Sequence, residues 1–317
     1  MFDKKQQVSE QAPTVSIGLA VYNGEKYLEE AVDSILNQTF TDFELIISDN
    51  ASTDRTEEIC KRYAAQDQRV RYSRNATNIG GANNENLTVR LSRGKYFRWA
   101  AHDDKLHPDL LKKCVEVLEH DPSIVLCHTM IVEIDENGTP HKTTSRNNGS
   151  AEKPYQRFAA IAISDDFLEE TYGLMRAEIL KKTSLQANYT ASDRTLMSEI
   201  SLYGRFHQIP EPLFYKRFHP GNVYLDWRTR MAWFGKEYIG KIVFPWWLQF
   251  VDYLRTIRRT PMTAYDKFRC YLFMGRWLLK NGKKMVKDLL VALYMLFLSP
   301  QRRKQKYEES NNWTPKE

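Results

Sequence analysis

Asp103 and Asp104 stand side by side in the run Trp99-Ala100-Ala101-His102-Asp103-Asp104-Lys105-Leu106-His107-Pro108, directly after an apolar stretch. Adjacent carboxylates repel, so a chain that sets two of them at the mouth of a strand must offset the repulsion with a cation or with hydroxyl donors. Hard divalent ions such as magnesium take oxygen ligands and suit that position. The same acids can also open the helix that follows, because Asp ahead of Pro and an apolar-periodic run is a capping signal.

The elements that must position this pair are legible on either side of it. Short apolar or β-branched runs predict strands at 14–20, 44–48, 70–73 and 96–100, and helical periodicity between them predicts helices at 25–37, 53–65 and 80–92. Strands alternating with helices imply an α/β fold, a Rossmann-like and mostly parallel sheet flanked by helices. Ligands of such sheets sit at the carboxyl ends of the strands. The polar side chains are there: Tyr22-Asn23-Gly24-Glu25 after the first strand, Asp49-Asn50-Ala51-Ser52-Thr53-Asp54 after the second, and His102-Asp103-Asp104 after the fourth. Ser52 and Thr53 are expected to cap the helix they precede. Asp49 stands ahead of that cap and is a binding candidate. No GxxxxGKS loop is present and no GxGxxG follows a strand, which removes the usual support for kinase or dehydrogenase chemistry; Gly80-Gly81 reads as a helix start.

These residues carry a family resemblance. The run VSIGLAVYNGEKYLEEAVDSILNQTFTDFELIISDNASTDRTEEICKRY, followed by NIGGANNENLTVRLSRGKYFRWAAHDDKLHPDLL, resembles the nucleotide-binding half of a family 2 glycosyltransferase of the GT-A fold, over roughly residues 13–121. The resemblance implies that Val21 and Tyr22 line the nucleotide pocket, with Glu25 among the substrate-binding residues, and that Asp49 binds the base, usually uracil. It implies that Asp103 and Asp104 are the variant DXD acids, one near the ribose and one on a Mg2+ or Mn2+ ion that bridges the donor diphosphate. Many relatives carry a further acid where this chain has Ala101, so the division of labour between Asp103 and Asp104 stays open. The chemistry agrees, since a nucleoside diphosphate leaves poorly until a divalent ion on one or two carboxylates neutralises it.

The middle of the chain is expected to serve the acceptor. A helix over 107–120 leads to an apolar strand over 124–134 and a turn at 135–138; the aperiodic polar segment 139–153 reads as a surface loop and a candidate lid. Ahead of a helical run at 195–203, Ala191-Ser192-Asp193-Arg194 resembles the family's acidic motif, which makes Asp193 the expected base for the acceptor hydroxyl. Either Ser192 or Asp193 can equally cap that helix, and Asp165 and Asp166 are the next candidates for the base. Tyr215-Lys216-Arg217-Phe218-His219-Pro220-Gly221-Asn222 resembles the basic segment in which Arg meets the diphosphate and His reaches the metal, so Arg217 and His219 join the candidates.

Composition bounds the rest. The chain has 317 residues, and its Cys60, Cys114, Cys127 and Cys270 lie far apart without CxxC pairing, which indicates neither a zinc site nor a disulfide framework. Residues 1–13 are polar with no apolar signal core, and together with the unpaired cysteines this suits a cytoplasmic protein. Charge divides near Asp226. Residues 226–317 hold 19 Lys and Arg against 8 Asp and Glu, a net of +11, and six of the seven tryptophans; the first 225 residues, with 27 against 32, carry −5. The apolar run 289–298 is bracketed by Lys280, Lys283, Lys284 and Lys287 on one side and Arg302, Arg303, Lys304 and Lys306 on the other, too short to span a bilayer. A helix lying in the membrane interface fits, at the inner face of the plasma membrane; a helical bundle packed on the catalytic domain or on a second copy also fits. Nucleic-acid binding lacks any accompanying motif.

The expected architecture is a GT-A catalytic domain over 13–225 with a basic, aromatic-rich helical extension over 226–317. The expected function is inverting, metal-dependent transfer from a nucleotide sugar, a UDP-sugar in the first instance, to a hydroxyl of a glycan or lipid-linked glycan in cell-surface polysaccharide synthesis. The competing class is a non-catalytic module of the same fold that binds a nucleotide sugar or a partner.

Overall fold

The computed structural model describes residues 12–164, 168–219, 241–299 and 301–303. The first hundred residues alternate as expected: β1 (Val15–Val21), α1 (Leu28–Leu36), β2 (Phe43–Asp49), α2 (Thr56–Gln66), β3 (Val70–Arg74), α3 (Gly81–Leu91) and β4 (Tyr96–Ala100). These strands pair in parallel in the order β3-β2-β1-β4, with Val21 beside Asp49 and Leu19 beside Ala100. Every residue of β2 and β4 is buried, which is why both read as nearly continuous apolar runs without alternation. Gly18 in β1 is required by packing, because a Cβ there would come within 2.3 Å of Thr88 Oγ1 and 2.7 Å of Phe97 Cζ.

The chain continues through β5 (Lys105–Leu106), α4 (Leu110–His120), β6 (Ile124–Ile134), β7 (Pro140–Thr144), α5 (Pro154–Ile163), a 3₁₀ turn (Glu169–Tyr172), β8 (Leu174–Arg176), α6 (Ala177–Leu180), α7 (Ser192–Tyr203) and β9 (Arg205–Arg217). The sheet extends past β4 as β8-β6-β9-β5. In this half β6 and β9 are parallel, while β8 runs antiparallel to both β4 and β6. Pro210 and Pro212 sit within β9, and its register against β6 slips around Met130, as a proline in a ladder requires.

The segment 139–153 departs from the expected lid. Residues 140–144 form an edge strand on β6, and the remainder is tied down: Arg157 Nη1 donates to the carbonyls of Ala151 and Glu152, Phe206 N to Gly149 O, and Asn148 Nδ2 to Glu170. An edge strand whose residues are mostly exposed has no apolar alternation for a sequence to display.

Two helices follow, α8 (Pro245–Arg259) and the 33-residue α9 (Ala264–Leu296). They pack on α5 and α7 through Phe158, Ala162, Leu202, Tyr253, Ile257, Met274 and Trp277, with the Phe250 and Trp277 rings stacked at 5.8 Å. Their packing on the earlier helices answers the bundle expectation for one face of α9. The boundary expected at 225–226 lies outside the described residues, as do Asp165 and Asp166. All four cysteines are buried and none is in a disulfide. No helix among the described residues is long and apolar enough to cross a membrane.

Candidate active site

The parallel register sets the geometry. Val21 and Asp49 end adjacent strands at one level, and Asp103 and Asp104 follow β4 on the same edge of the sheet, so the three polar strand ends meet there. Tyr22 is 45 % exposed and follows the buried Val21.

Asp49 is fully buried. Its Oδ1 accepts the Ser52 N–H at 2.8 Å, and its Oδ2 accepts the Tyr72 hydroxyl at 2.9 Å and faces Arg74 Nε at 3.2 Å. Asp49, expected on the base, anchors the loop after β2 through these bonds. Asn50 Oδ1 likewise accepts from Asn75 and from the Ile79 N–H.

The capping expectation at 52–53 is corrected. Ser52 Oγ accepts the Asn23 N–H and Thr53 N donates to Asn23 Oδ1, so both residues bind the β1 loop. The start of α2 is held by Asp54 Oδ1 on Thr56 N at 3.0 Å and by Glu25 Oε2 on Arg55 N at 2.9 Å. Glu25, assigned to substrate, therefore braces two loops of the site with its carboxylate. Asp54 accommodates that crowding as an anion; burial acts against it, but hydrogen bonds from Thr56 and Glu25 N–H hold its pKa below the usual range.

Asp103 and Asp104 are both nearly buried and are tied to the end of β9. Arg217 N donates to Asp104 Oδ1 at 2.9 Å, Arg217 Nε donates to the Asp103 carbonyl at 2.9 Å, and His219 Nε2 meets Asp103 Oδ2 at 3.1 Å. Burial, and then the charge of Asp103, push the Asp104 carboxyl well above the carboxylate range, against opposing pulls from the Arg217 N–H, Lys216 and Arg98. Two crowded, desolvated carboxylates are the donor set that a hard divalent cation relieves. Among the described residues no three His, Cys, Asp or Glu side chains group as a complete metal cluster, so diphosphate and water would have to fill the remaining positions.

Arg217 was expected on the diphosphate, and here its side chain is spent on the protein. It is 2 % exposed, its Nη2 pairs with Glu30 at 2.5 Å, its Nη1 donates to the carbonyls of Asp135 and Glu136, and it lies over the Tyr27 ring. A fork with five donors is suited to tying several carbonyls together. Arg98, which the sequence reading passed over, is a second buried guanidinium, packed over Phe214, and its charge acts on Asp104.

Asp193 opens the first turn of α7. No side chain caps this helix: Ala191 occupies the cap position with φ 67°, and Asp193 Oδ1 accepts the N–H of Arg194 at 2.9 Å. The capping alternative for Ser192 and Asp193 is thus not what the structure contains. The sequence reading missed Glu85 of α3, whose carboxylate accepts from Gln186 Nε2 at 2.5 Å; desolvation and the charge of Asp193 push it up to about 8. One acid among the asparagines of α3 gave no signal, because its partner is a hundred residues away. The Tyr172 hydroxyl is held well above its ordinary range by burial first and then by the charges of Asp104, Glu85, Asp103 and Asp193.

A nine-stranded mixed sheet with paired acids at the strand ends, extended by helices, defines a GT-A-type fold. The chain belongs to glycosyl transferase family 2, whose model matches residues 16–183. It is 39 % identical over 128 residues to an uncharacterized glycosyltransferase of Methanocaldococcus jannaschii, a match covering 40 % of this chain and 44 % of that protein. It is 37 % identical over 142 residues to the chondroitin synthase of Escherichia coli, covering 43 % and 20 %. The match therefore spans less than half the length of these curated relatives. Among solved structures, S. aureus TarS 1-349 in complex with UDP superimposes with a TM-score of 0.62 at 15 % identity, over 94 % of this chain and 87 % of that one. The mannosyltransferase PcManGT of Pyrobaculum calidifontis, in complex with GDP-Man and Mn2+, gives 0.54 at 17 % identity over 95 % and 86 %. At these identities the likeness carries the fold.

Proposed function

We propose that the protein transfers a glycosyl residue from a nucleotide sugar, UDP being the expected nucleotide, to a hydroxyl of a glycan or lipid-linked glycan in cell-surface polysaccharide synthesis. Transfer proceeds with inversion and depends on Mg2+ or Mn2+. Residues 13–225 form the catalytic part and 226–317 its extension. The observation that supports this most directly is the adjacent, buried pair Asp103 and Asp104 following β4 at the carboxyl edge of the parallel strands, in a chain of glycosyl transferase family 2. The UDP and UDP-GlcNAc complexes of TarS favour a UDP donor, and the Mn2+ complex of PcManGT favours the metal.

In this reading Tyr22 and Val21 meet the nucleoside, while Asp103 and Asp104 would hold the ion, with His219 Nε2 at 3.1 Å orienting Asp103. A bound divalent ion supplies charge neutralisation to the departing diphosphate. Asp193 takes the proton of the acceptor hydroxyl as its oxygen bonds to the anomeric carbon. The bond from that carbon to the diphosphate breaks, its electron pair leaving on the phosphate oxygen, and single displacement inverts the centre. Arg217 touches none of these atoms and acts by fixing both acids. A donor panel with MnCl2 tests the reading: release of nucleoside diphosphate supports it, and saturable donor binding without release in the presence of candidate glycan acceptors leaves a non-catalytic module in its place.

A further inference from the structure

Helix α9 has two apolar faces. Cys270, Met274, Trp277, Met285, Ala292 and Met295 are buried on the inner one. On the outer one Phe268 (57 %), Leu272 (55 %), Leu279 (87 %), Val286 (54 %), Leu290 (60 %) and Leu293 (53 %) are exposed, and Gly275 and Gly282 lie on the same stripe. From Phe268 to Leu293 the stripe advances in steps of three and four, and its 26 residues make about seven turns, a ridge about 38 Å long. Exposed apolar stretches of that extent mark interaction sites.

Charge identifies the occupant. Arg276, Lys283 and Lys287 are exposed along one border of the stripe, at spacings of seven and four, with Lys280 between them donating to the Ile163 carbonyl. The two acids of the helix are elsewhere: Asp288 is buried and accepts Trp246 N–H, and Asp266 lies in the first turn, bonded to Thr263. A second copy would bring an identical band of like charge against this border. An anionic plane matches the sign of that border.

We propose that the outer face of α9 lies flat in the surface of an anionic lipid bilayer, its apolar ridge inserted among acyl chains and its basic border on the headgroups. The helix rests on the membrane and does not cross it, in keeping with the lack of a spanning helix among the described residues. The anionic inner leaflet of a plasma membrane is the matching surface. This inference does not depend on the transfer reaction.

The test is co-sedimentation of the full-length protein with phosphatidylcholine vesicles and with equimolar phosphatidylcholine and phosphatidylglycerol vesicles, at low and high salt. Binding to the anionic vesicles is expected to exceed that to the neutral ones by at least about tenfold and to fall with salt. The doubles Leu279→Glu/Leu290→Glu and Lys283→Glu/Lys287→Glu should each lower it by about tenfold or more. Because all four residues are exposed, circular dichroism should stay unchanged. Equal affinity for both vesicle types, no binding, or undiminished binding of the Leu279→Glu/Leu290→Glu variant overturns the proposal. So does a dimer in light scattering that Leu279→Glu splits while the wild type ignores vesicles, which assigns the face to a second copy.

Discussion

The backbone of Arg217 grips Asp104 while its side chain grips the backbone of Asp103, at 2.9 Å in each case, across more than a hundred residues of sequence. The end of β9 thus fixes the acidic pair that follows β4. Replacing Arg217 with Ala strands the carbonyls of Asp103, Asp135 and Glu136 and leaves Glu30 with Lys105 alone. A cost of about 2–4 kcal/mol is expected from that set of losses. Chemical denaturation checks it: the midpoint should fall clearly, and Arg217→Lys should recover only part because an ammonium lacks the fork.

Asp193 makes no capping bond, so its removal should cost little stability. Asp193→Asn is expected to retain donor binding and lose transfer by about 100- to 10,000-fold, the range for a general base. Isothermal titration with donor and a transfer assay separate the two. Normal transfer together with a lowered melting temperature assigns the residue to the helix instead.

Glu85 gives a pH dependence of defined sign. Its folded pKa is raised from 4.5 to about 8, so across that window the folded protein holds a proton the unfolded chain has released. Stability therefore falls as pH rises between these values. Melting curves of the metal-free protein should drop with increasing pH, and Glu85→Gln should flatten the slope. Asp104 and Asp288, raised in the same direction, maintain what remains of it.

Trp277 joins α9 to α8, stacked against Phe250 and edge-on to Tyr253 at 5.7 Å. Trp277→Ala should cost about 3–5 kcal/mol, in the range for emptying a buried aromatic site. Limited proteolysis should then cut between α8 and α9 sooner than in the wild type.

The first hundred residues were legible because each element there is local: an apolar run, a periodic helix and a polar strand end, in order. Asp103, Asp104 and Asp193 could be selected as candidates from type and position. The bracing of Asp103 and Asp104 could not, since it depends on β9, whose Pro210 and Pro212 argue against a strand until the register slip at Met130 is seen. The same limit applies to Arg217, which as a sequence feature is a basic residue beside a histidine and becomes a brace only once Glu30, Asp135 and Glu136 surround it. Asp49 was correctly placed at a strand end, but Tyr72 and Arg74 close over it from β3. The inner face of α9 was hidden by apolar residues on both sides of the helix, which periodicity alone cannot rank.

The central claim is that Asp103 and Asp104 hold the ion on which donor turnover depends. The most direct measurement is UDP release from UDP-GlcNAc and related UDP-sugars by the wild type with MnCl2, by the wild type with excess chelator, and by Asp104→Asn with MnCl2. Release is predicted only in the first case, falling by orders of magnitude in the other two. The melting temperature of the variant should stay level or rise, because the substitution removes one of two crowded carboxylates. Full turnover in chelator, or by Asp104→Asn, contradicts the account.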